Sequence, residues 1–329
     1  MKTRTLGKNG IEVSPLGMGC MGLTHASGDP VPDSEAVGII RAAHEMGYTF
    51  FDTAECYVGT RADGSLARNE EVVGAALEPV RDEVVIASKF GVTHAPDKTI
   101  VTDSSPASIR RSIEGSLRRL RTDHIDLYYQ HRIDPKVEPE TVAGVMAELI
   151  SEGKIRAWGI SETTEDYLRR ADVVCPVAAV ENRYSMMARW HEALFPVLEE
   201  LDVAFVAFSP LANGFLSGAY NSKTTFEGAQ DYRAGMPQYT EDGERRAQPL
   251  VDLIAELAAK HGATPAQVSL AWMLGKKPQI IPIPGSRKPE RLQQNLRAAD
   301  VKLAEREIVQ IDHLLDTLDL KVFGGHVVK

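Results

Sequence analysis

The sequence has few cysteines and no long apolar run. Three cysteines occur in 329 residues, with neither a CxxC pair nor another metal-binding spacing. No apolar run approaches the roughly 18 residues that a membrane span needs. The first residues, MKTRTLGKNGIEV, lack the apolar core of a signal peptide. These absences argue against disulfide-linked and membrane proteins, and they predict a protein of the reducing cytoplasm.

Positive charge is scarce as well. Lysine and arginine number 37, aspartate and glutamate 46, and the formal net charge is −9. This acidic balance argues against a nucleic-acid surface, and the basic clusters at 110–121 and 286–297 have the spacing of helices. We therefore expect neither a nucleic acid nor a membrane as a partner. The oligomeric state stays open, with a homo-oligomer as one option.

Apolar runs alternate with amphipathic stretches along the chain, which predicts eight strands separated by helices. The predicted strands are residues 13–19, 49–55, 84–91, 124–131, 155–162, 178–185, 203–210 and 279–286. Eight such units favour an α/β fold, a closed (β/α)8 TIM barrel that forms one domain over residues 1–329. The alternative is an open doubly wound sheet, but GMGCMG after the first strand has the wrong glycine spacing for it.

Three segments lie outside the regular units. Asn9-Gly10 predicts a β-hairpin over residues 2–13, which would plug the N-terminal mouth of the barrel. The polar stretch 211–245 is too long for a plain connection, so we expect a functional loop followed by a helical region at 246–275. Extra C-terminal helix is expected after the eight units, at about 303–317.

Polar residues end three successive predicted strands. Asp52 ends the second, Lys89 the third and His131 the fourth, and Tyr57 follows shortly after Asp52. Each residue alone has a simple structural explanation as a cap, a solvated cation or a rim residue. Together they are significant, because barrel enzymes carry their chemistry at the C-terminal ends of strands.

These four side chains predict a general acid for carbonyl reduction. A free tyrosine has a pKa of about 10, and a nearby ammonium such as Lys89 is expected to lower it. Asp52 would hold the ammonium, and His131 would orient a substrate oxygen. A zinc site is the alternative, but Lys89 would repel the metal and no HxH or HExxH motif occurs. We therefore predict no metal.

A reductase of this kind needs a hydride donor. The segment IPIPGSRKPERLQQNL (281–296) follows the last predicted strand, where such barrels often bind phosphate. Gly285, Ser286, Arg287, Lys288 and Arg291 offer backbone donors and cations for it. Several cations favour NADPH over NADH, whereas a charged helix start on the surface is the simpler alternative.

The motifs together resemble those of the aldo-keto reductases along nearly the whole chain. They are LGMGCMG, FFDTAECY with NEEVVG, IASKFG, IDLYYQH, GKIRAWGIS, YSMMAR, FSPLANGFLSG and IPIPGSRKPERLQQN. The chain is most similar to the soluble bacterial-type branch, which also resembles potassium-channel β subunits. The resemblance implies an NADPH-dependent reductase of aldehydes and ketones, with NADP+ as the oxidised cofactor. It implies Tyr57 as proton donor, Lys89 with Asp52 as its tuning pair, and His131 as substrate orienter.

The resemblance also implies where the cofactor binds. The implied contacts are Gly19, Cys20, Met21, Asp52, Ser161, Glu162, Glu181, Phe208, Ser209, Pro210, Leu211, Asn213, Gly285, Ser286, Arg287, Arg291, Gln294 and Asn295. Phe208 would stack on the nicotinamide. The chain departs from the family in three places: Glu181 replaces a usual glutamine, Glu162 a common asparagine and Ala219 a frequent lysine. An ionised Glu181 could accept from the nicotinamide amide but could not donate to it.

Two further questions stay open from the sequence. The chain could instead be an NADP(H)-binding redox sensor of the channel-β type, although the complete Asp-Tyr-Lys-His set favours an enzyme. Met186, Met187 and Trp190 could line the substrate site or belong to the core. Cys56, beside Tyr57, is expected to be a small buried residue without a reactive thiolate.

Overall fold

A single sheet of eight parallel strands forms the centre of the protein. The computed structural model describes residues 3–95, 99–226 and 231–324. Strands and helices are numbered in chain order. The eight strands, in their order across the sheet, are β3 (Met18–Gly19), β4 (Phe50–Asp52), β7 (Val85–Phe90), β10 (Ile125–Gln130), β11 (Ile155–Ser161), β12 (Ala179–Arg183), β13 (Ala204–Phe208) and β14 (Ile280–Pro282).

The two outer strands of this sheet meet. The N–H of Gly17, just before β3, donates to the C=O of Pro282 in β14 at 2.9 Å. The predicted TIM barrel is therefore confirmed, although β3, β4 and β14 are shorter than the sequence pattern suggested. Every residue of β7 and β10 is buried, because helices cover the outside of the barrel and side chains fill its inside.

Ten α-helices surround the sheet in the described residues. They are α1 (Asp33–Met46), α2 (Asn69–Leu77), α3 (Pro106–Leu120), α4 (Pro139–Ser151), α5 (Glu165–Val174), α6 (Phe195–Leu201), α7 (Glu241–His261), α8 (Pro265–Lys276), α9 (Pro289–Leu296) and α10 (Glu305–Thr317). Ser105 caps α3 by accepting from the N–H of Ser108, as a serine before a proline predicts. Helix α10 confirms the predicted C-terminal helix.

The predicted helical region at 246–275 consists of two helices. Gly262 adopts a left-handed conformation with φ of 60° and ends α7. Thr264 then caps α8, in which Pro265 is the first residue. Both signals are present in the sequence, so a closer use of capping rules would have separated the helices.

The predicted N-terminal hairpin is confirmed. It pairs β1 (Arg4–Leu6) with β2 (Ile11–Val13) in antiparallel register. Leu6, Ile11 and Val13 belong to the same buried cluster as the side chains inside the barrel. The hairpin therefore closes the N-terminal mouth, and the opposite mouth remains for chemistry.

Two more hairpins lie on the loops that follow β4 and β7. The first pairs β5 (Val58–Thr60) with β6 (Leu66–Arg68), and the second pairs β8 (Val92–His94) with β9 (Ile100–Thr102). The stretch 211–245 contains three short 3-10 helices, and its residues 227–230 lie outside the described residues. Met186 and Met187 belong to the core. No described helix is both long and apolar enough to cross a membrane.

Candidate active site

The alternation of side chains along the barrel strands places the predicted polar residues together. Side chains of a strand alternate between its two faces, and Ala87 of β7 belongs to the cluster inside the barrel. Lys89, two residues later, continues that inner face. The same alternation brings Asp52 of β4, His131 after β10 and Glu181 of β12 to the inside of the C-terminal mouth.

Lys89 is the centre of this group and is completely buried. Its Nζ donates to Oδ1 of Asp52 at 2.6 Å and to the C=O of Thr53 at 2.9 Å. Its Nζ also lies 3.4 Å from Oε1 of Glu181. Burial lowers the pKa of Lys89, but Asp52 and Glu181 raise it by more, so the pKa is well above its ordinary value. Lys89 is therefore an ammonium.

Tyr57 is held at the mouth by the start of helix α2. The N–H of Asn69 donates to the C=O of Tyr57 at 3.0 Å. The Asn69 side chain donates in turn to the C=O of Cys20 at 2.9 Å and to Oγ1 of Thr24 at 2.8 Å. One buried asparagine thus fixes the segment that carries the phenol to the segment that follows β3.

The phenol of Tyr57 is protonated at neutral pH. Lys89 Nζ lies 5.2 Å from the centre of the Tyr57 ring. Burial raises the pKa of Tyr57, and Lys89 lowers it by less, so the pKa is above its ordinary value. The expectation of a net lowering is wrong in this structure, because desolvation of the phenolate outweighs attraction by the ammonium.

His131 is neutral and contacts Cys56. Burial lowers the pKa of His131 well below its ordinary value, and the cations Arg132 and Lys89 lower it further. The Nδ1 of His131 lies 3.4 Å from Sγ of Cys56. Burial raises the pKa of Cys56 to about 12, so its thiol keeps its hydrogen. In the Nε2–H tautomer of His131, Nδ1 accepts from this thiol and Nε2–H can donate to a substrate.

Two arginines cover the aromatic residue at the end of β13. The guanidinium carbon of Arg183 lies 4.9 Å from the centre of the Phe208 ring, and that of Arg132 lies 6.0 Å from it. Arg132 also donates to Oγ of Ser161 at 3.0 Å, and this hydroxyl donates to the C=O of Glu181 at 2.8 Å. Cationic side chains therefore meet Phe208 and Ser161, two of the predicted cofactor contacts.

Glu162 is turned away from the Lys89 group. It adopts a left-handed φ of 55°, and its Oε1 accepts from the N–H of Arg183 at 2.9 Å. Its other oxygen lies 3.7 Å from Nε2 of His191. Burial raises the pKa of Glu162, but His191 and the Arg183 N–H lower it by more. Glu162 is therefore ionised, and its carboxylate is held by Arg183 and His191.

The first and last loops of the mouth approach each other closely. The N–H of Cys20 donates to the C=O of Asp52 at 2.8 Å, and Met21 begins a short 3-10 helix. A Cβ on Gly285 would collide with the carbonyl oxygen of Gly19. Only glycine therefore allows the segment after β14 to pass so close to the end of β3.

The segment after β13 has a strained backbone. Ser209, Ala212 and Asn213 all adopt left-handed φ values, of 52°, 49° and 60°. Pro210 and Leu211 lie between them. Consecutive left-handed and right-handed residues turn N–H groups toward one side of a loop, which is a common arrangement at anion sites. This loop thus offers backbone donors next to Phe208.

A group of arginines lies beyond that loop. Arg287 Nε donates to the C=O of Gly22 at 2.6 Å, and its buried Nη2 has no partner among the described residues. Arg291 donates to the hydroxyl of Tyr220 at 2.9 Å. The guanidinium carbon of Arg233 lies 5.2 Å from the centre of the same tyrosine ring. Two of these cations, Arg291 and Arg233, therefore contact the same aromatic side chain.

The remaining predicted contacts lie on or near helix α9. Ser286 Oγ accepts from the N–H of Lys288 at 3.1 Å. Asn295 is buried, with 4% of its surface exposed, whereas Gln294 is exposed. The predicted residues thus form two groups, one around Lys89 and one around Arg287, on the same C-terminal side of the barrel.

A family model matches most of the chain. The model described as the Aldo/keto reductase family matches residues 15–316. This chain belongs to the aldo-keto reductase family. The match covers both groups of candidate residues, so the family resemblance drawn from the sequence motifs is confirmed. The predicted branch within the family stays a prediction.

Several aldo-keto reductases are similar over nearly the whole chain. Probable aldo-keto reductase 1 of Glycine max is 38% identical over 310 residues, which are 93% of this chain and 86% of that protein. Aldo-keto reductase str7 of Strobilurus tenacellus is 36% identical, over 97% of this chain and 94% of that protein.

Solved structures of the family have the same fold. The glycerol dehydrogenase AKR11B4 of Gluconobacter oxydans superposes with a TM-score of 0.84 at 27% identity, over 95% of this chain and 94% of that one. An aldo-keto reductase of Klebsiella pneumoniae in complex with NADPH gives 0.73 at 27% identity, over 96% and 95%.

The structure adds residues to this reductase site that the sequence analysis missed. They are Asn69, Arg132, Arg183 and Arg233, together with the contact of Cys56 on His131. Arg183 follows Glu181 by two, so the alternation of side chains along a strand could have indicated it. Arg132 directly follows His131, beyond the end of β10, so the same alternation does not place it at the site. Arg233 lies in the long loop, where no periodic pattern exists to place it.

Proposed function

We propose that this aldo-keto reductase reduces aldehydes and ketones to alcohols with NADPH, reversibly, and that Tyr57 supplies the proton. The observation that carries the proposal is the buried Lys89 ammonium, 2.6 Å from Asp52 and 5.2 Å from the centre of the Tyr57 ring. A buried ammonium held beside a protonated phenol, with a neutral imidazole nearby, suits a general acid.

The chain's residues fit NADP(H). Arg287 has a buried guanidinium nitrogen without a partner among the described residues, as a site for a phosphate requires. Arg291 and Arg233 add charge for the 2′-phosphate, and the strained loop 209–213 offers donors for the pyrophosphate. Phe208, Ser161 and the other predicted contacts would hold the nicotinamide end. When bound, the cofactor supplies a hydride to the carbonyl carbon.

The chain's own side chains manage the substrate oxygen. The Nε2–H of His131 donates to the carbonyl oxygen and orients it. The hydroxyl of Tyr57 gives its proton to that oxygen as negative charge develops there. Lys89 stabilises the phenolate that remains, and Asp52 keeps the ammonium in place. Alcohol oxidation uses the same groups in reverse, with the phenolate as the base.

The proposal is tested by Tyr57→Phe, which removes only the phenolic hydroxyl. The native protein should oxidise NADPH in the presence of 4-nitrobenzaldehyde, followed by absorbance. The variant should lose turnover about 10²- to 10⁴-fold, the usual contribution of a general acid, while NADPH still binds in a fluorescence titration. Equal turnover by both proteins would disprove the role of Tyr57. NADPH binding without turnover by the native protein would instead favour the redox-sensor alternative.

A further inference from the structure

The Lys89 group contains more negative than positive charge. Two carboxyl groups, those of Asp52 and Glu181, share one ammonium, and each of the two residues is 2% exposed. A net charge in a buried site is strongly unfavourable. Where buried carboxyl groups outnumber cations, one of them therefore retains its proton. Counting charges therefore predicts one proton on this pair at neutral pH.

Among the described residues, no other charge compensates the pair. The titratable groups that face it from neighbouring elements are Lys89 of β7, Tyr57 after β4, Tyr129 of β10 and Cys20 after β3. His131 after β10 faces Lys89, and burial lowers its pKa, so it is neutral. Burial raises the pKa of each phenol and of the thiol, so all three are neutral. Strand β11 contributes Ser161 and β13 contributes Val206, which carry no charge.

Hydrogen bonding indicates where the proton lies. Lys89 Nζ is 2.6 Å from Oδ1 of Asp52 but 3.4 Å from Oε1 of Glu181, so Asp52 is the better-stabilised carboxylate. The two remaining oxygens, Oδ2 of Asp52 and Oε2 of Glu181, are buried and have no donor among the described residues. A side-chain hydrogen bond between the two carboxyl groups raises the pKa of Glu181 and lowers that of Asp52. A proton on Glu181 would therefore supply the donor that the Asp52 carboxylate lacks.

We propose that Glu181 is a carboxylic acid at neutral pH, which donates to Asp52 and keeps the buried Lys89 group neutral. Burial and the Asp52 charge raise the pKa of Glu181 to about 8, in agreement with this. An amide at this position could make the same bond to Asp52. The replacement of glutamine by glutamate therefore preserves the donor but makes it titratable.

Ionisation of Glu181 should affect the reaction, an inference that rests on the proposed function. When Glu181 ionises at alkaline pH, a second negative charge remains beside Lys89 and Tyr57. This charge stabilises the protonated phenol and destabilises the phenolate, so Tyr57 becomes a poorer acid. Glu181 is a positioning residue in this scheme, because it acts through Asp52 and Lys89 rather than on the substrate.

Infrared spectroscopy tests the protonation state without cofactor or turnover. At about pH 7 the difference spectrum of native protein minus Glu181→Gln should show the C=O stretch of a protonated carboxylic acid, and this band should be absent at about pH 9.5. Glu307→Gln, which changes a glutamate paired with the half-exposed Lys260, should remove carboxylate bands only. A native spectrum without the pH-dependent band, or a Glu181→Gln spectrum that retains it, would overturn the proposal.

The pH profile of kcat/KM tests the consequence. Between about pH 7 and 9.5 the native value should fall about tenfold or more, as one added charge near the phenol predicts, whereas Glu181→Gln should stay level. Parallel profiles would overturn the proposed effect on Tyr57. Absence of turnover at every pH would contradict the proposed function instead, and the infrared band alone would then decide the protonation state.

Discussion

Glu307 and Glu181 each expose 3% of the side chain, but Glu307 pairs with a half-exposed lysine whereas Glu181 lies beside a completely buried one. Glu307 accepts from Nζ of Lys260 at 2.6 Å and from the N–H of Ala304 at 2.7 Å, and it lies 3.0 Å from Nε2 of His261. Lys260 and these other partners lower the pKa of Glu307 to about 2. Glu181 shares one ammonium with a second carboxylate.

Asp126, on the outer face of β10, is also paired with cations. It is completely buried and pairs with Arg81 and with Arg156, both at 2.7 Å, and it also accepts from the N–H of Ile86. The comparison teaches that burial alone does not set the charge of a carboxyl group. The number of hydrogen-bond donors around the group matters as well. Glu307 and Asp126, which stabilise the fold, each have several donors, whereas Asp52 and Glu181 at the C-terminal mouth share one ammonium.

The largest expected effect is on turnover, and it concerns the ion pair of Lys89 and Asp52 at the C-terminal mouth. Lys89→Met should reduce kcat about 10²- to 10⁴-fold, because Tyr57 loses the charge that stabilises its phenolate. The free energy of unfolding should also fall, by about 3 kcal/mol, because Asp52 loses its cation and must take up a proton above its ordinary pKa. NADPH turnover and urea unfolding of the same samples would measure the two effects.

Arg81→Met is the matched change at the fold-stabilising pair. It removes the less exposed of the two arginines that pair with the buried Asp126, so the free energy of unfolding should fall by about 3 kcal/mol. Turnover per folded molecule should not change. If Arg81→Met impairs turnover while Lys89→Met mainly destabilises the fold, the distinction between the two regions is wrong.

The two glutamates should also give opposite pH slopes of stability. Glu181 has a folded pKa of about 8, above the ordinary 4.5, so between these values only the folded state binds its proton. Its contribution therefore makes stability fall as the pH rises from about 4.5 to 8. Glu307 has a folded pKa of about 2, so its contribution is present above about pH 4.5 and is lost as the pH falls toward 2.

Urea unfolding across this pH range would resolve both slopes. Each slope can reach about 1.4 kcal/mol per pH unit. Glu181→Gln should remove the fall between pH 4.5 and 8, and Glu307→Gln should remove the rise between 2 and 4.5. An unchanged slope in Glu181→Gln would show that another group holds the proton.

The smallest expected effect concerns Cys56. Cys56→Ala removes the S–H donor to Nδ1 of His131 and frees the ring to change tautomer, so kcat/KM should fall about three- to tenfold, the worth of one hydrogen bond. Cys56→Ser should restore most of the activity, and nitrogen NMR shifts of His131 should report the Nε2–H form in the native protein. Cys175→Ala, a buried thiol far along the chain, is the control. Loss of activity in the serine variant equal to that in alanine would refute the donor role.

The barrel could be predicted from sequence because its signals are local and periodic. Alternating apolar runs gave the eight strands, and the strand period brought Asp52, Lys89 and His131 to one mouth. Strand ends were less well predicted, since the residues 49–55 narrow to Phe50–Asp52 in the structure. Hydrogen bonding to neighbouring strands, rather than hydrophobicity, decides where a strand ends.

Other features of the site depend on distances that no sequence pattern encodes. The net pKa change of Tyr57 is the balance of burial against one charge, and the sequence showed only the charge. The state of Glu181 depends on its 3.4 Å separation from Lys89 and on its contact with Asp52. The positions of Arg132 and Arg183 over Phe208 depend on tertiary packing as well. The roles of the site residues and the single-domain organisation stay predictions.

The most direct test of the account is turnover by the native protein and Lys89→Met with NADPH and 4-nitrobenzaldehyde. The account predicts that native protein consumes NADPH and forms an equal amount of alcohol, and that the variant binds NADPH but forms almost none. A native protein that binds NADPH without forming alcohol from any of a panel of aldehydes and ketones, or a variant as active as the native protein, would contradict it.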